Sequence, residues 1–147
     1  MSKQILRKKL INLRKINFSC HDPSFVQFKK IINKFNIKKI QIIGGYYPIN
    51  SEIDSLKILE KLEKNKFKLS LPVTKKNNDM DFYEWSFKDS LKVNSRGIPE
   101  PYTMKKVFPD ILIVPLVGFD KNKYRLGYGG GYYDRYIAKA LKIKNVL

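Results

Sequence analysis

DILIVPLVGFDKNKYRLGYGGGYYDRY, residues 110–136, is the stretch on which the fold turns. Its first half is the most apolar run in the chain and predicts a buried strand, ended by Gly118 and Asp120. Its end predicts a helix, because Tyr133, Ile137, Ala140 and Leu141 recur at helical spacing. Between the two, residues 125–136 gather four of the chain's eight glycines, two of its five arginines and one aspartate. A bare backbone between a strand's carboxyl end and a helix's amino end is where open α/β sheets hold their ligands.

The pattern extends upstream. Leu6, Leu10, Leu13 and Ile16 predict an amphipathic first helix, with Lys3, Arg7 and Arg14 together on another face. Phe25, Phe28, Ile32 and Phe35 predict a second, capped near Asp22 or Ser24. KKIQIIGGYYP, residues 38–48, reads as a buried strand running into a loop at Gly44-Gly45. Ser51 and Asp54 stand at capping-box spacing before Ile53, Leu56, Leu59 and Leu62, predicting a third helix. FKLSLPV, residues 67–73, is expected to be a strand stopped by Pro72. DFYEWSF, residues 81–87, is expected to be another, and SRGIPEPY, residues 95–102, a rigid loop around Pro99 and Pro101. Strands alternating with helices predict one α/β domain over residues 1–147, in three α/β/α layers with a largely parallel sheet. KIKNVL, residues 142–147, looks like the opening of a further strand, so the chain is expected to be shortened, with one or more C-terminal strands missing.

Composition bounds the function. A chain of 17.3 kDa holds a single core. The net charge of +17 would ordinarily raise nucleic acid first. The lysine doublets at 8–9, 29–30, 38–39, 75–76 and 105–106 are scattered, however, and abundant Ile, Asn, Tyr and Phe point to AT-rich codons as the source of much of the lysine. A nucleic-acid protein needs a contiguous basic patch with interleaved aromatics, which this pattern does not supply. No apolar run approaches a membrane span, and MSKQILRKKL has no secretory core. Cys20 has no internal partner for a disulfide, which fits a reducing cytoplasm. His21 reads as a surface or capping residue. The five arginines persist against the lysine bias, and a planar fork is hard to replace where phosphate or carboxylate is gripped bidentately.

Gly127, Gly129, Gly130 and Gly131 allow backbone N–H groups to approach a phosphate, and the following helix adds its positive end. Arg125 and Arg135 would then neutralise a polyphosphate, and Asp134 could hold a magnesium ion. No Lys-Ser or Lys-Thr follows the glycines, so this is not a P-loop. From the residues alone a plain structural loop stays open, as does an Asp134 that only complements the helix dipole. Tyr132 and Tyr133 read as helix packing, Tyr83 and Trp85 equally as core or as stacking residues.

PDILIVPLVGFDKNKYRLGYGGGYYDRY, with SEID and GIPEP upstream and KQILRKKL at the start, resembles the 5-formyltetrahydrofolate cyclo-ligase family in order from residue 3 to the chain end. The resemblance implies an ATP- and Mg2+-dependent closure of 5-formyltetrahydrofolate to 5,10-methenyltetrahydrofolate with release of ADP and phosphate, and no enzyme nucleophile. It implies ATP contacts from Lys3, Gln4, Ile5, Leu6 and Arg7 and from Arg125, Leu126, Gly127, Tyr128, Gly129, Gly130, Gly131, Tyr132 and Tyr133. It further implies folate contacts from Tyr47 and Glu52, and Asp134 as the metal ligand. Family members continue beyond the position of Leu147 with a further strand and a second acidic metal ligand. Two readings follow: an active cyclo-ligase, or a remnant that binds ATP and folate with little turnover. The expected partners are ATP and a folate that can carry several glutamates, with no nucleic acid and no membrane, and a monomer is expected.

Overall fold

The computed structural model describes residues 2–17, 23–35, 41–102 and 105–143. The readings that fall on Cys20, His21, Asp22, residues 38–40 and residues 144–147 lie outside them. Helix α1, Lys3–Ile16, starts at Ser2, whose hydroxyl accepts from the Ile5 amide at 3.3 Å. Helix α2, Phe25–Ile32, starts the same way at Ser24, the second of the two caps foreseen. Strand β1, Ile42–Gly44, leads through a long loop to α3, Leu56–Lys64. Then come β2 (Lys68–Thr74), a tight turn at Lys76–Asn78, β3 (Met80–Trp85), β4 (Leu91–Val93), β5 (Pro99–Pro101) and β6 (Lys106–Val107). The chain continues through β7 (Ile111–Leu112), β8 (Gly118–Phe119) and β9 (Arg125–Leu126) to α4, Tyr132–Ala140.

The central sheet has the order β6-β3-β2-β1-β7. β2, β1 and β7 run parallel, and β3 and β6 continue the sheet antiparallel. Side chains alternate across it. Ile43, Leu69, Leu71 and Trp85 face Ile58, Leu59 and Leu62 of α3 and Ile32 of α2. Met80, Phe82 and Val107 face Tyr136 and Ala140 of α4. The mixed α/β fold in three layers is therefore present, with the parallel strands at β1. Each fully buried leucine of α3 contributes roughly 1.5–3 kcal/mol through its burial. The approach is close: a Cβ on Gly45 would lie 2.4 Å from Leu59 Cδ1.

Four local expectations need correction. Pro72 does not stop β2, which continues to Thr74. The β1–β2 pairing ends at Ser70, so Pro72 lies beyond it, where β2 has β3 on one side only and a missing N–H is tolerated. Residues 99–101 are not a loop but a strand paired with β4. The turn joining them is closed by Asn94 Oδ1, which accepts from the Arg96 and Ile98 amides. The apolar run after Asp110 gives only the two residues of β7, because its partner β1 is three residues long and Pro115 cannot donate. Its second half enters the separate β8–β9 hairpin. The capping box at Ser51 does not form: Ser51 has φ of 61° and α3 begins only at Leu56, whose amide donates to Asp54 Oδ1.

Candidate active site

The glycine loop, α1, the loop after β1 and the β4–β5 and β8–β9 hairpins enclose a cavity of about 740 Å³. It lies at the carboxyl ends of the parallel strands, lined by Tyr46 and Tyr47 after β1, Pro72 and Thr74 at the end of β2 and Pro115 after β7.

One wall is cationic. Lys3 and Arg7 reach the cavity from α1, along with Leu6 and Leu10. Gln4 and Ile5 do not, because successive helical residues point about 100° apart and only the 3, 6, 7, 10 stripe faces inward. None of α1's apolar residues joins the core; Leu6 and Leu10 form cavity wall instead. Arg7 Nε donates to Gly127 O at 2.8 Å, tying α1 to the glycine loop. Arg14, one turn and more further on, donates to Leu116 O at 2.6 Å, to Val117 O at 2.9 Å and to the Tyr128 hydroxyl at 2.9 Å.

The glycine loop itself, Gly127 through Gly131, lines the cavity together with Arg125, Leu126, Tyr128, Tyr132, Tyr133 and Asp134. Gly131 is the residue before α4 and has φ of 67°, so the loop can swing into the helix only with glycine's freedom there. Arg125 Nη2 makes an ion pair with the exposed Asp134 carboxylate across the first turn of α4. Arg135, read as a phosphate partner, turns away. Its Nη2 donates to Asn78 O at 2.6 Å and to Gly130 O at 2.7 Å, and it does not line the cavity. A guanidinium satisfied by two carbonyls holds the loop in place instead of gripping a ligand.

The loop after β1 adds Glu52, Tyr46, Tyr47 and Ile49 to the lining. Glu52 is not in a helical turn. Asn50 and Ser51 both have positive φ, which folds the chain back so that Glu52 Oε2 accepts from the Ile49 amide at 2.9 Å. Glu52 is only 7% exposed. Burial raises its pKa; the Ile49 N–H, a hydrogen bond from the Tyr128 hydroxyl and the Arg14 charge act against that rise. Tyr128 is pushed up to about 12, by burial first and then by the Glu52 charge and hydrogen bond. Tyr46 and Tyr133 are also raised, by burial first and by Glu52 next. All three phenols are neutral donors at physiological pH.

Tyr83 and Trp85 do not line the cavity; both are buried in the sheet. Residues that the motif did not reveal are Arg14, Tyr46 and Arg96. Arg96 comes from the β4–β5 turn, with its guanidinium 4.7 Å from the centre of the Tyr132 ring. The signal available for the arginines was their persistence in a lysine-rich chain: Arg7, Arg96 and Arg125 line the cavity, and Arg14 and Arg135 brace its glycine loop.

The arrangement suits a polyphosphate on the glycine-loop side and a planar, polar ring system beside Glu52 and the tyrosines. Among the described residues no group of three or more His, Cys, Asp or Glu forms a self-sufficient metal cage. One exposed carboxylate beside a glycine loop suited to phosphate fits a different arrangement, a Mg2+ ion that arrives on phosphates and takes a single protein ligand. No helix among the described residues is long and apolar enough to cross a membrane.

Known proteins resemble this chain in sequence and in fold. The model of the 5-formyltetrahydrofolate cyclo-ligase family matches residues 1–146. A 5-formyltetrahydrofolate cyclo-ligase of Mycoplasma pneumoniae is 30% identical over 142 residues, covering 93% of this chain and 77% of the relative. Another, from Haemophilus influenzae, is 32% identical and covers 71% of this chain and 59% of its own length. Among solved structures, the Aquifex aeolicus 5,10-methenyltetrahydrofolate synthetase superposes over the whole chain with a TM-score of 0.71 and 29% identity, matching 75% of that protein. This chain thus spans roughly three fifths to three quarters of these three proteins. With the family model covering all but its last residue, the chain belongs to the 5-formyltetrahydrofolate cyclo-ligase family.

Proposed function

We propose that the chain performs the family's reaction, the ATP-dependent cyclisation of 5-formyltetrahydrofolate to 5,10-methenyltetrahydrofolate with release of ADP and phosphate, in the cytoplasm. The observation that carries this reading is the gathering of two chemically different sets of residues around one cavity. Arg7, Arg125 and the glycine loop line it together with the buried Glu52. A nucleotide and a second substrate could meet there with their reacting atoms together.

The chemistry needs no protein nucleophile. The formyl oxygen attacks the terminal phosphorus of ATP and ADP leaves. The second folate nitrogen then attacks the activated carbon, and the C–O bond breaks to release phosphate. The protein's contribution is position and charge. Lys3, Arg7, Arg125 and the N–H groups of residues 127–131 take the triphosphate, with Leu126, Tyr128, Tyr132 and Tyr133 shaping the pocket around it. Tyr47 and Glu52 hold the folate ring near its reacting nitrogens. Asp134 is the residue that would hold Mg2+. When bound, that ion neutralises phosphate charge and fixes the geometry of the leaving group. A folate bearing several glutamates gives the surplus lysines an acidic partner, and the protein acts as a monomer.

The test is the near-ultraviolet absorbance rise of methenyltetrahydrofolate on mixing residues 1–147 with 5-formyltetrahydrofolate and MgATP. A rise that needs ATP and falls by roughly 10- to 100-fold in Arg125→Ala is expected, the cost of losing a charge-assisted contact to phosphate. A folded protein that binds ATP and gives no rise supports the second reading, a binding remnant.

A further inference from the structure

Two turns meet beside the main cavity. The turn at Lys76–Asn78 joins β2 to β3, and the Lys75 amide closes it by donating to Asp79 O at 2.8 Å. Asn77 and Asn78 have φ of 64° and 58°, a conformation that asparagine adopts more readily than most residues. The turn between β4 and β5 is fixed by Asn94, whose Oδ1 accepts from the Arg96 and Ile98 amides. Asn94 Nδ2 donates to Glu100 Oε2 at 3.2 Å and to Thr74 Oγ1 at 3.5 Å, which fastens this second turn to the end of β2.

Between the turns lies a second recess of about 310 Å³. It shares Thr74, Asn94 and Arg96 with the main cavity, so the one opens beside the other. The rest of its lining is Lys75, Lys76, Ser95 and the asparagines of the first turn, with no apolar and no acidic side chain. Its cations differ in what they already hold. Lys75 is taken up by the buried Asp81 at 2.5 Å. Lys76 and the Arg96 guanidinium have no carboxylate or carbonyl partner among the described residues, and Arg96 rests only on the Tyr132 ring.

An ammonium and a guanidinium left uncompensated beside amide and hydroxyl donors make a place for anions. Phosphate is better served elsewhere, by the backbone N–H groups of the glycine loop. Side-chain donors set apart on two turns suit carboxylates spaced along a chain. A folate has its ring at one end and such a chain at the other. With the ring beside Glu52 the acidic end must leave the main cavity, and Arg96 belongs to the lining of both spaces.

We propose that the recess between the two turns is a subsite for the acidic tail of the folate, taking the carboxylates of its γ-linked glutamates on Lys76 and Arg96. The identity of the ligand rests on the cyclo-ligase reading. Once the ring is seated, the tethered carboxylates meet the recess at high effective concentration, so a longer tail gains affinity with no new contact at the reacting end.

The test is calorimetric binding, without ATP, of 5-formyltetrahydrofolate and of its pentaglutamate to residues 1–147. The pentaglutamate should bind about 10-fold more tightly, since two exposed charge pairs contribute up to about 5-fold each. Lys76 is exposed and lies outside the main cavity. Lys76→Gln should cut the advantage to about 3-fold and leave the Kd of the monoglutamate unchanged. Lys30→Gln, on α2 and in the lining of neither space, removes the same charge and should leave the advantage at full size.

Equal affinity for the two folates, or an advantage that survives Lys76→Gln, overturns the subsite. An equal drop in Lys30→Gln overturns it as well, because net charge is then the cause. Turnover is read separately. A tail advantage that Lys76→Gln removes, in a protein that cyclises neither folate, sinks the functional reading alone. Cyclisation with the same KM for both folates sinks the subsite alone, and a folded chain that binds neither folate overturns both.

Discussion

Arg125 and Asp134 neutralise each other across the first turn of α4, although the proposed reaction asks each to meet a different charge on the incoming MgATP. The pair must open for both to do so. Asp134→Asn therefore has opposite effects on the two forms of the nucleotide. ATP in excess chelator should bind up to about 5-fold more tightly, since Arg125 is released from an exposed ion pair worth up to about 1 kcal/mol. MgATP should bind roughly 10-fold more weakly, because the one protein ligand offered to the ion is gone. Calorimetric titrations with and without Mg2+ check both signs, and equal changes in the two would remove Asp134 from the metal. Glu52→Gln belongs to the same scale. It should lower kcat/KM for the folate by roughly 10- to 100-fold and leave the ATP Kd unchanged, as an interaction confined to one substrate does. Glu52 was legible in the sequence as a residue, through the SEID motif. Its setting was not, because two left-handed residues before it turn a nominal helix start into a tight reversal.

At the scale of elements, the glycine loop is held from behind as well as lined from the front. Arg135 fastens it through Gly130 O and reaches across to Asn78 O, and the Tyr132 hydroxyl donates to Asn78 Oδ1 at 2.9 Å. The turn at Lys76–Asn78 and the start of α4 are thus tied together. Gly131→Ala would place a Cβ 2.6 Å from Arg135 Nη1 in a left-handed conformation. It should cost about 1 kcal/mol of stability and loosen ATP binding more than folate binding, read by urea unfolding and by separate ligand titrations. Gly45→Ala, by contrast, thrusts a methyl into Leu59 under α3. A loss of about 1–3 kcal/mol is expected there, because a well-packed core resists added volume.

The whole molecule is knit on the α4 side by one buried acid. Asp81 of β3 is 1% exposed and receives Lys75 at 2.5 Å, Lys106 of β6 at 3.0 Å and Lys139 of α4 at 3.0 Å. Burial alone would raise its pKa; the three ammonium groups outweigh burial and hold it at about 2. Because the folded value lies below the unfolded one, the resulting stability is present above about pH 4 and is lost as pH falls through about 2. It amounts to about 2 kcal/mol at neutral pH, and Asp81→Asn should forfeit at least that much. Urea unfolding at pH 7 and near pH 2 checks this: the gap between wild type and variant should be wide at the first and nearly closed at the second. Three of the surplus lysines thus serve the fold, at a place the scattered doublets 75–76 and 105–106 gave no reason to join.

Periodicity and apolar runs determined where α1 to α4 and the main strands would form, since those signals follow from local geometry that every residue feels. The glycine-arginine-tyrosine order carried the resemblance that determined the family, and a bare backbone beside arginines made a nucleotide loop the expectation. Lengths of strands, the passage of β2 through Pro72 and the pairing of Pro99–Pro101 depended on which neighbour each segment finds, which no local pattern encodes. The same holds for the site: only the packing of α1 against the glycine loop brings Arg14 to the Tyr128 hydroxyl from a position far away in the chain. Burial of Glu52 in the cavity lining, a property of the folded whole, is what raises its pKa above the ordinary glutamate value.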